Sequence, residues 1–142
     1  MVVFVDGDVP CNVEGRRRVK SWLAALAEHH NRTLGDVSIV SCSDEELLTY
    51  NRQYLDHDTY TDIITFDHTE GTTLSGDLLI SFERVSDNAE NHGVVFQEEL
   101  RRVMAHGVLH LAGFKDKTPD DASAMRQAED HALQMFHVEH PA

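Results

Sequence analysis

The sequence predicts an α/β fold in which short strands alternate with amphipathic helices. Apolar runs rich in β-branched residues, at residues 2–5, 37–40, 62–66 and 77–81, have the length and composition of strands. Between and after them apolar residues recur at helical spacing, as at Val19, Trp22, Leu23 and Leu26. The 142 residues suffice for one compact domain over residues 1–142, burying roughly 70% of the unfolded-state surface.

Taken in order, Val2, Val3, Phe4 and Val5 make the first strand, which stops at Asp6. Asn12 is a suitable cap for the first helix. Arg16, Arg17, Arg18 and Lys20 ride near its start and read as a solvated face, with a positive patch facing a polyanion as the functional alternative. Trp22 reads as core. Gly35 and Asp36 are read as a turn into the second strand. Ser43, Asp44, Glu45 and Glu46 form a capping box ahead of a helix carrying Leu47, Leu48 and Tyr54. The strands at residues 62–66 and 77–81 flank a polar stretch, residues 67–76, with two glycines, which predicts an antiparallel pair; loops of that length often rim a site.

Phe82, Val85 and Ala89 mark a short helix that Gly93 ends. The next helix begins near Val95 and packs through Phe96, Leu100, Val103, Met104 and Leu111. Thr118, Pro119, Asp120 and Asp121 combine a cap, a first-turn proline and first-turn acids, so a last helix follows with Met125, Ala132, Leu133 and Phe136 buried. His137 and His140 at its end read as solvent histidines, as do His57, His68 and His92.

Composition narrows the function classes. Forty-one per cent apolar residues and three prolines describe an ordinary globular chain. Its apolar runs fall far short of the roughly 20 residues that span a bilayer, and residues 1–5 lack the basic start and long apolar core of a signal peptide. A cytoplasmic protein with no membrane partner is expected. Cys11 and Cys42, the only cysteines, make neither a disulfide scaffold nor a thiolate metal site and read as small, partly buried residues. A net charge of −13 argues against non-specific nucleic-acid binding, so a phosphate-bearing substrate needs a local positive patch or a metal.

The chemistry is concentrated at residues 106–116. His106 and His110 lie four apart on one helix face, close enough for both imidazoles to hold one zinc ion. Gly113 can take a left-handed backbone and end the helix, so the returning chain can bring Asp116 in as a third ligand. The spacing resembles the metzincin zinc-protease pattern, with Asp116 in place of a third histidine and Gly107 in place of the glutamate that serves there as general base. A metal site is expected; proteolytic machinery is not. The plain alternative is a chance pair among ten histidines. Glu99, two turns before His106, is either a carboxylate that orients a ligand or an exposed one.

These residues also carry a fuller resemblance. His106, Gly107, Leu109, His110, Leu111 and Gly113 match the signature His-Gly-x-Leu-His-Leu-x-Gly-Tyr-Asp-His, with Phe114 for its Tyr. Upstream, Asn51, Tyr54, Asp58, Thr61, Asp62 and Phe66 fall on its Asn-x-x-Tyr-Arg and Thr-Asp-Val-Leu-Ser-Phe segments, and residues 76–80 resemble its Gly-Asp-Ile-x-Ile strand. The chain thus resembles, over nearly its whole length, the YbeY family of metal-dependent endoribonucleases of ribosomal RNA maturation and ribosome quality control. The resemblance implies a small mixed four-stranded sheet with helices around it and one zinc at the end of a helix. It also implies cleavage of single-stranded RNA, with ribosomal RNA and the small ribosomal subunit as partners and no role for DNA. In chemical terms the metal would polarise a phosphodiester oxygen or activate a water.

Two departures bear on mechanism. Asp116 stands for the family's third His, with Lys115 where the motif has Asp; a carboxylate remains a good zinc ligand but removes a positive charge from the site. Leu55 stands where the family has an Arg, and leucine cannot pair with phosphate. Arg52, His57, Lys115 and Lys117 are the candidate substitutes for phosphate contact, and no residue stands out as general base. Three readings follow: the zinc-dependent endoribonuclease, a metal-dependent hydrolase of a non-nucleic substrate, and a zinc-containing ribosome-associated binding module with weak or no nuclease activity.

Overall fold

The computed structural model describes residues 1–139. The elements are β1 (Val2–Asp6), α1 (Arg16–His29), β2 (Thr33–Cys42), α2 (Asp44–Tyr54), β3 (Ile63–Asp67), β4 (Thr73–Ser81), α3 (Phe82–His92), α4 (Phe96–Leu111) and α5 (Pro119–Glu139). They build one mixed four-stranded sheet in the order β1-β2-β4-β3. β1, β2 and β4 run parallel, and β3 pairs antiparallel with β4 at the sheet edge.

The sheet is covered on both faces, so β4 is apolar on both. Leu78 and Ile80 point into the larger core with Trp22, Leu100, Met104 and Phe136. Leu79 points the other way, joining Leu47, Ile64 and Cys42 beneath α2. Trp22 is fully buried and donates its indole N–H to the Ala132 carbonyl at 2.7 Å, fastening α1 to α5. Cys11 and Cys42 are fully buried too. One glycine sets the position of α4: a Cβ on Gly107 would lie 2.8 Å from Leu78 Cδ1 and 2.9 Å from Ile63 Cδ1. Position 107 therefore faces β3 and β4, and no glutamate can occupy it as a general base.

Local signals explain the ends. Ser43 Oγ accepts from the Glu46 N–H at 3.1 Å, and Thr118 Oγ1 from the Asp121 N–H at 3.1 Å, so both predicted caps form. Gly93, at φ 67°, closes α3. Asn12 is not a cap: α1 starts at Arg16 behind Gly15, whose φ of 61° supplies the entry, and the Asn12 carbonyl accepts from Gln97 instead. Gly35 and Asp36 are not a turn before β2 but lie within it, at an irregularity between Leu34 and Val37, where a Gly35 Cβ would sit 2.7 Å from the Leu74 oxygen. β4 begins at Thr73, so the β3–β4 connection is only residues 68–72, and through His68 and Glu70 it lines a cavity with Gly35 and Asp36, apart from His106 and His110. The basic run divides by packing: Arg16 and Lys20 lie over the Phe4 ring, whereas Arg18 lies over Phe136, as does Arg101. His137 meets Glu98 at 3.1 Å, and His140 lies outside the described residues.

Candidate metal centre

The C-terminal turn of α4 and the chain beyond it bring the candidate ligands together. Gly113 has φ 106°, its N–H donates to the His110 carbonyl, and the Phe114 N–H donates to the Leu109 carbonyl, both at 3.0 Å. This paired closure is a Schellman motif. It reverses the chain and returns Asp116 to the helix end. Asp116 Oδ2 lies 3.3 Å from His106 Nε2 and 3.3 Å from His110 Nε2. Donor atoms of all three residues lie within 4.8 Å of one another, and among the described residues no other set of three His, Cys, Asp or Glu side chains converges this closely. Two imidazole nitrogens and a carboxylate oxygen are a donor set that suits zinc with a further position open.

Each imidazole is also held from behind. His106 Nδ1 is 2.6 Å from Glu129 Oε2, and His110 Nδ1 is 2.9 Å from the Phe114 carbonyl oxygen. With Nδ1 facing an acceptor, each ring carries its proton there and presents Nε2 to the ligand cluster. Glu129 is itself fixed by Arg102, whose Nη1 reaches Oε1 at 3.1 Å while Nη2 bonds Asp130 at 2.8 Å. Burial pulls the His106 pKa down, but the Glu129 hydrogen bond and the charges of Glu129, Asp62 and Asp116 outweigh it and the net shift is upward.

The ligand cluster opens into a cavity of about 500 Å³ between α4 and the outer edge of β3. Ile63, Thr65 and Asp67 line one wall, and Leu55, Asp62 and Lys117 complete the surround. Burial raises the Asp62 pKa, partly opposed by His106. Of the four cations and histidines named as substitutes for the family's Arg, only Lys117 lines this cavity. Lys115 lines a separate depression with Gly113 and Asp121 beyond the turn. Arg52 is exposed and paired with Asp58 at 2.5 Å, and the His57 N–H bonds the Asn51 carbonyl at 3.1 Å. Glu99 is buried, at 5% exposure, but bonds His92 at 3.1 Å and orients no ligand.

Two residues take a place in the site that the sequence did not assign them. Glu129 sits between Met125 and Leu133 on the buried stripe of α5, and a carboxylate at that helical position is a signal for a buried partner. Asp62 falls on the Thr-Asp-Val-Leu-Ser-Phe segment of the resemblance, but only the packing of β3 against α4 puts it in the cavity.

A profile of the family described as Endoribonuclease YbeY matches residues 8–137. Proteins named Endoribonuclease YbeY from Flavobacterium johnsoniae and Christiangramia forsetii are each 46% identical, over 90% and 96% of this chain and 92% and 94% of their own lengths. One from Bacteroides fragilis is 48% identical over 84% of this chain and 86% of its own. Among solved structures, a Thermotoga maritima protein determined in solution matches 98% of this chain and 91% of its own with a TM-score of 0.65. At 23% identity that likeness is one of fold.

Proposed function

The chain belongs to the Endoribonuclease YbeY family, and from that premise we propose an endoribonuclease that cuts single-stranded ribosomal RNA with a zinc ion held by His106, His110 and Asp116. The observation that carries this reading is the convergence of three metal-ligating side chains at the end of an open cavity. Zinc, when bound, supplies the Lewis acidity that polarises a phosphodiester or activates a water.

The chain's own groups divide the remaining work. Glu129 and the Phe114 carbonyl hold the two imidazoles with Nε2 free to ligate. Asp116 brings one negative charge, so the site keeps less positive charge than three histidines would leave. Lys117 is the one lysine or arginine among the described residues lining the cavity and is placed to meet a phosphate, in the role that Leu55 cannot fill. Of the two cavity carboxylates outside the ligand set, Asp62 and Asp67, Asp62 is the one whose affinity for a proton burial raises, which suits it to take up a proton as the attacking oxygen loses it. No helix among the described residues is long and apolar enough to cross a membrane, and we place the activity in the cytoplasm on the small ribosomal subunit. The apolar Leu55 favours one second reading, a ribosome-associated binding module that cleaves weakly.

The test is cleavage of a short labelled single-stranded RNA by wild type and by His110→Ala purified identically, with zinc and after chelation. The nuclease reading expects cleavage that needs metal and disappears in the variant. A folded, zinc-loaded wild type that cuts nothing would leave the binding module, with ribosomal subunits as the ligand to try next.

A further inference from the structure

The rim of the metal cavity carries an aromatic surface that the cleavage chemistry does not use. Tyr54, the last residue of α2, is 63% exposed, and Leu55 beside it is 42% exposed. Yet the tyrosine ring is not loose. Tyr50 stacks on it at 5.6 Å with planes 25° apart, and Phe66 meets it edge-on at 6.0 Å and 89°. Side chains alternate across a strand, so β3 divides two surfaces. Ile63, Thr65 and Asp67 face the metal cavity, Phe66 packs with the core under α2 on which the tyrosines rest, and Ile64 belongs to that core while also reaching the cavity lining. Leu55 lines the cavity directly after Tyr54 in the chain. A polymer leaving the metal site over the β3 edge therefore meets Leu55 and then Tyr54.

Charge gives this surface its importance. With Lys117 alone among the described lysines and arginines lining the cavity, and a net charge of −13, attraction to phosphates supplies little of the affinity for a polyanion. Unpaired bases offer another source, since every base has a π-face that stacks on an aromatic ring. A duplex keeps its faces stacked internally and cannot use it. We propose that Tyr54, braced by Tyr50 and Phe66, is a stacking subsite for one unpaired nucleobase of the RNA strand that runs through the metal cavity. The inference rests on the endoribonuclease reading of that cavity, and it names what selects a single strand there.

The experiment titrates zinc-loaded wild type, Tyr54→Ala and Tyr54→Phe with short single-stranded RNAs carrying 2-aminopurine at one position in turn, and measures cleavage kinetics on the same strands. Stacking predicts quenching at one preferred position in wild type and binding about tenfold weaker in Tyr54→Ala, consistent with the cost of losing one base–aromatic stack. Tyr54→Phe should restore both. The loss should appear in KM with kcat little changed, while zinc affinity and the thermal midpoint of Tyr54→Ala stay near wild type. A folded Tyr54→Ala that keeps the wild-type quench and KM overturns the subsite and leaves the nuclease standing. Absence of any position-specific quench in wild type overturns it as well. Quenching that depends on Tyr54 in a protein that never cuts would uphold the subsite and remove the nuclease reading instead.

Discussion

Replacing Glu129 by alanine removes no ligand yet should loosen the metal site. Its carboxylate takes the His106 Nδ1–H at 2.6 Å through Oε2 and Arg102 at 3.1 Å through Oε1. The glutamate side chain is 8% exposed and Arg102 20%, so water replaces neither bond well. Losing a carboxylate behind a ligating histidine costs roughly 10–100-fold in metal affinity, which is about 1.4–2.7 kcal/mol. The metal-free protein should lose stability as well. Hydrogen bonds to charged groups contribute about 1.5–3 kcal/mol each. Two are lost, but Arg102 keeps Asp130, so a net cost of about 2–3 kcal/mol is expected, within the usual stability of a domain. Competition against a chromophoric zinc chelator measures the first quantity and urea unfolding of the metal-free protein the second. Glu129→Gln, which keeps an acceptor but not the charge, should fall between. Glu99→Ala is the control: its bond runs to His92, so zinc affinity should stay within about twofold of wild type, well inside the range expected for a true orienting carboxylate. A folded Glu129→Ala that binds zinc as tightly as wild type would refute the orienting role.

Three further expectations follow from the same geometry. Gly107→Ala drives a methyl to within 2.8 Å of Leu78 Cδ1, and overpacking of that kind should cost about 1–3 kcal/mol in chemical unfolding; Gly107→Glu should not fold, which bars converting the site to a protease by that route. Asp62→Asn removes a carboxylate whose ionisation burial opposes, so it should raise the thermal midpoint of the metal-free protein near neutral pH while slowing cleavage, both read on one preparation. In the metal-free protein the folded His106 pKa lies above its ordinary 6.5, so the His106–Glu129 pair contributes stability that is complete below 6.5 and is lost as pH rises through the folded value. Zinc competes with that proton, so its affinity should fall as pH drops through the same window, checked by calorimetry across pH.

Much of the centre was legible because it is local. His106, His110, Gly113 and Asp116 need only the period of a helix and the reversal at a glycine, and the structure brings their donors together. The caps at Ser43 and Thr118 were readable for the same reason. What escaped depends on distant packing. Glu129 reaches His106 only because α5 returns along α4, and Asp62 enters the cavity only because β3 is an edge strand laid against Gly107. The expected roles of Asn12 and of Gly35 with Asp36 failed where tertiary contacts overrode local preference. Gln97 takes the Asn12 carbonyl, and pairing with Leu74 draws residues 33–36 into β2. Strand order, too, lay beyond the alternation of elements, and the resemblance implied only a small mixed four-stranded sheet.

The Schellman turn after α4 bears on how the molecule is made. All three candidate ligands belong to residues 106–116, a stretch short enough to close at little entropic cost. Local contacts of this kind close over short stretches of chain, whereas the pairing of β2 with β4, as at Val37 and Gly76, and the return of α5 onto α4 join residues further apart in sequence. The donors can therefore converge on a chain whose sheet is incomplete, and an ion can be captured then. Docking of α5 brings Glu129 behind His106 afterwards, so the grip tightens as assembly finishes. With zinc at the proposed site, its retention would report that the last helix has reached its place.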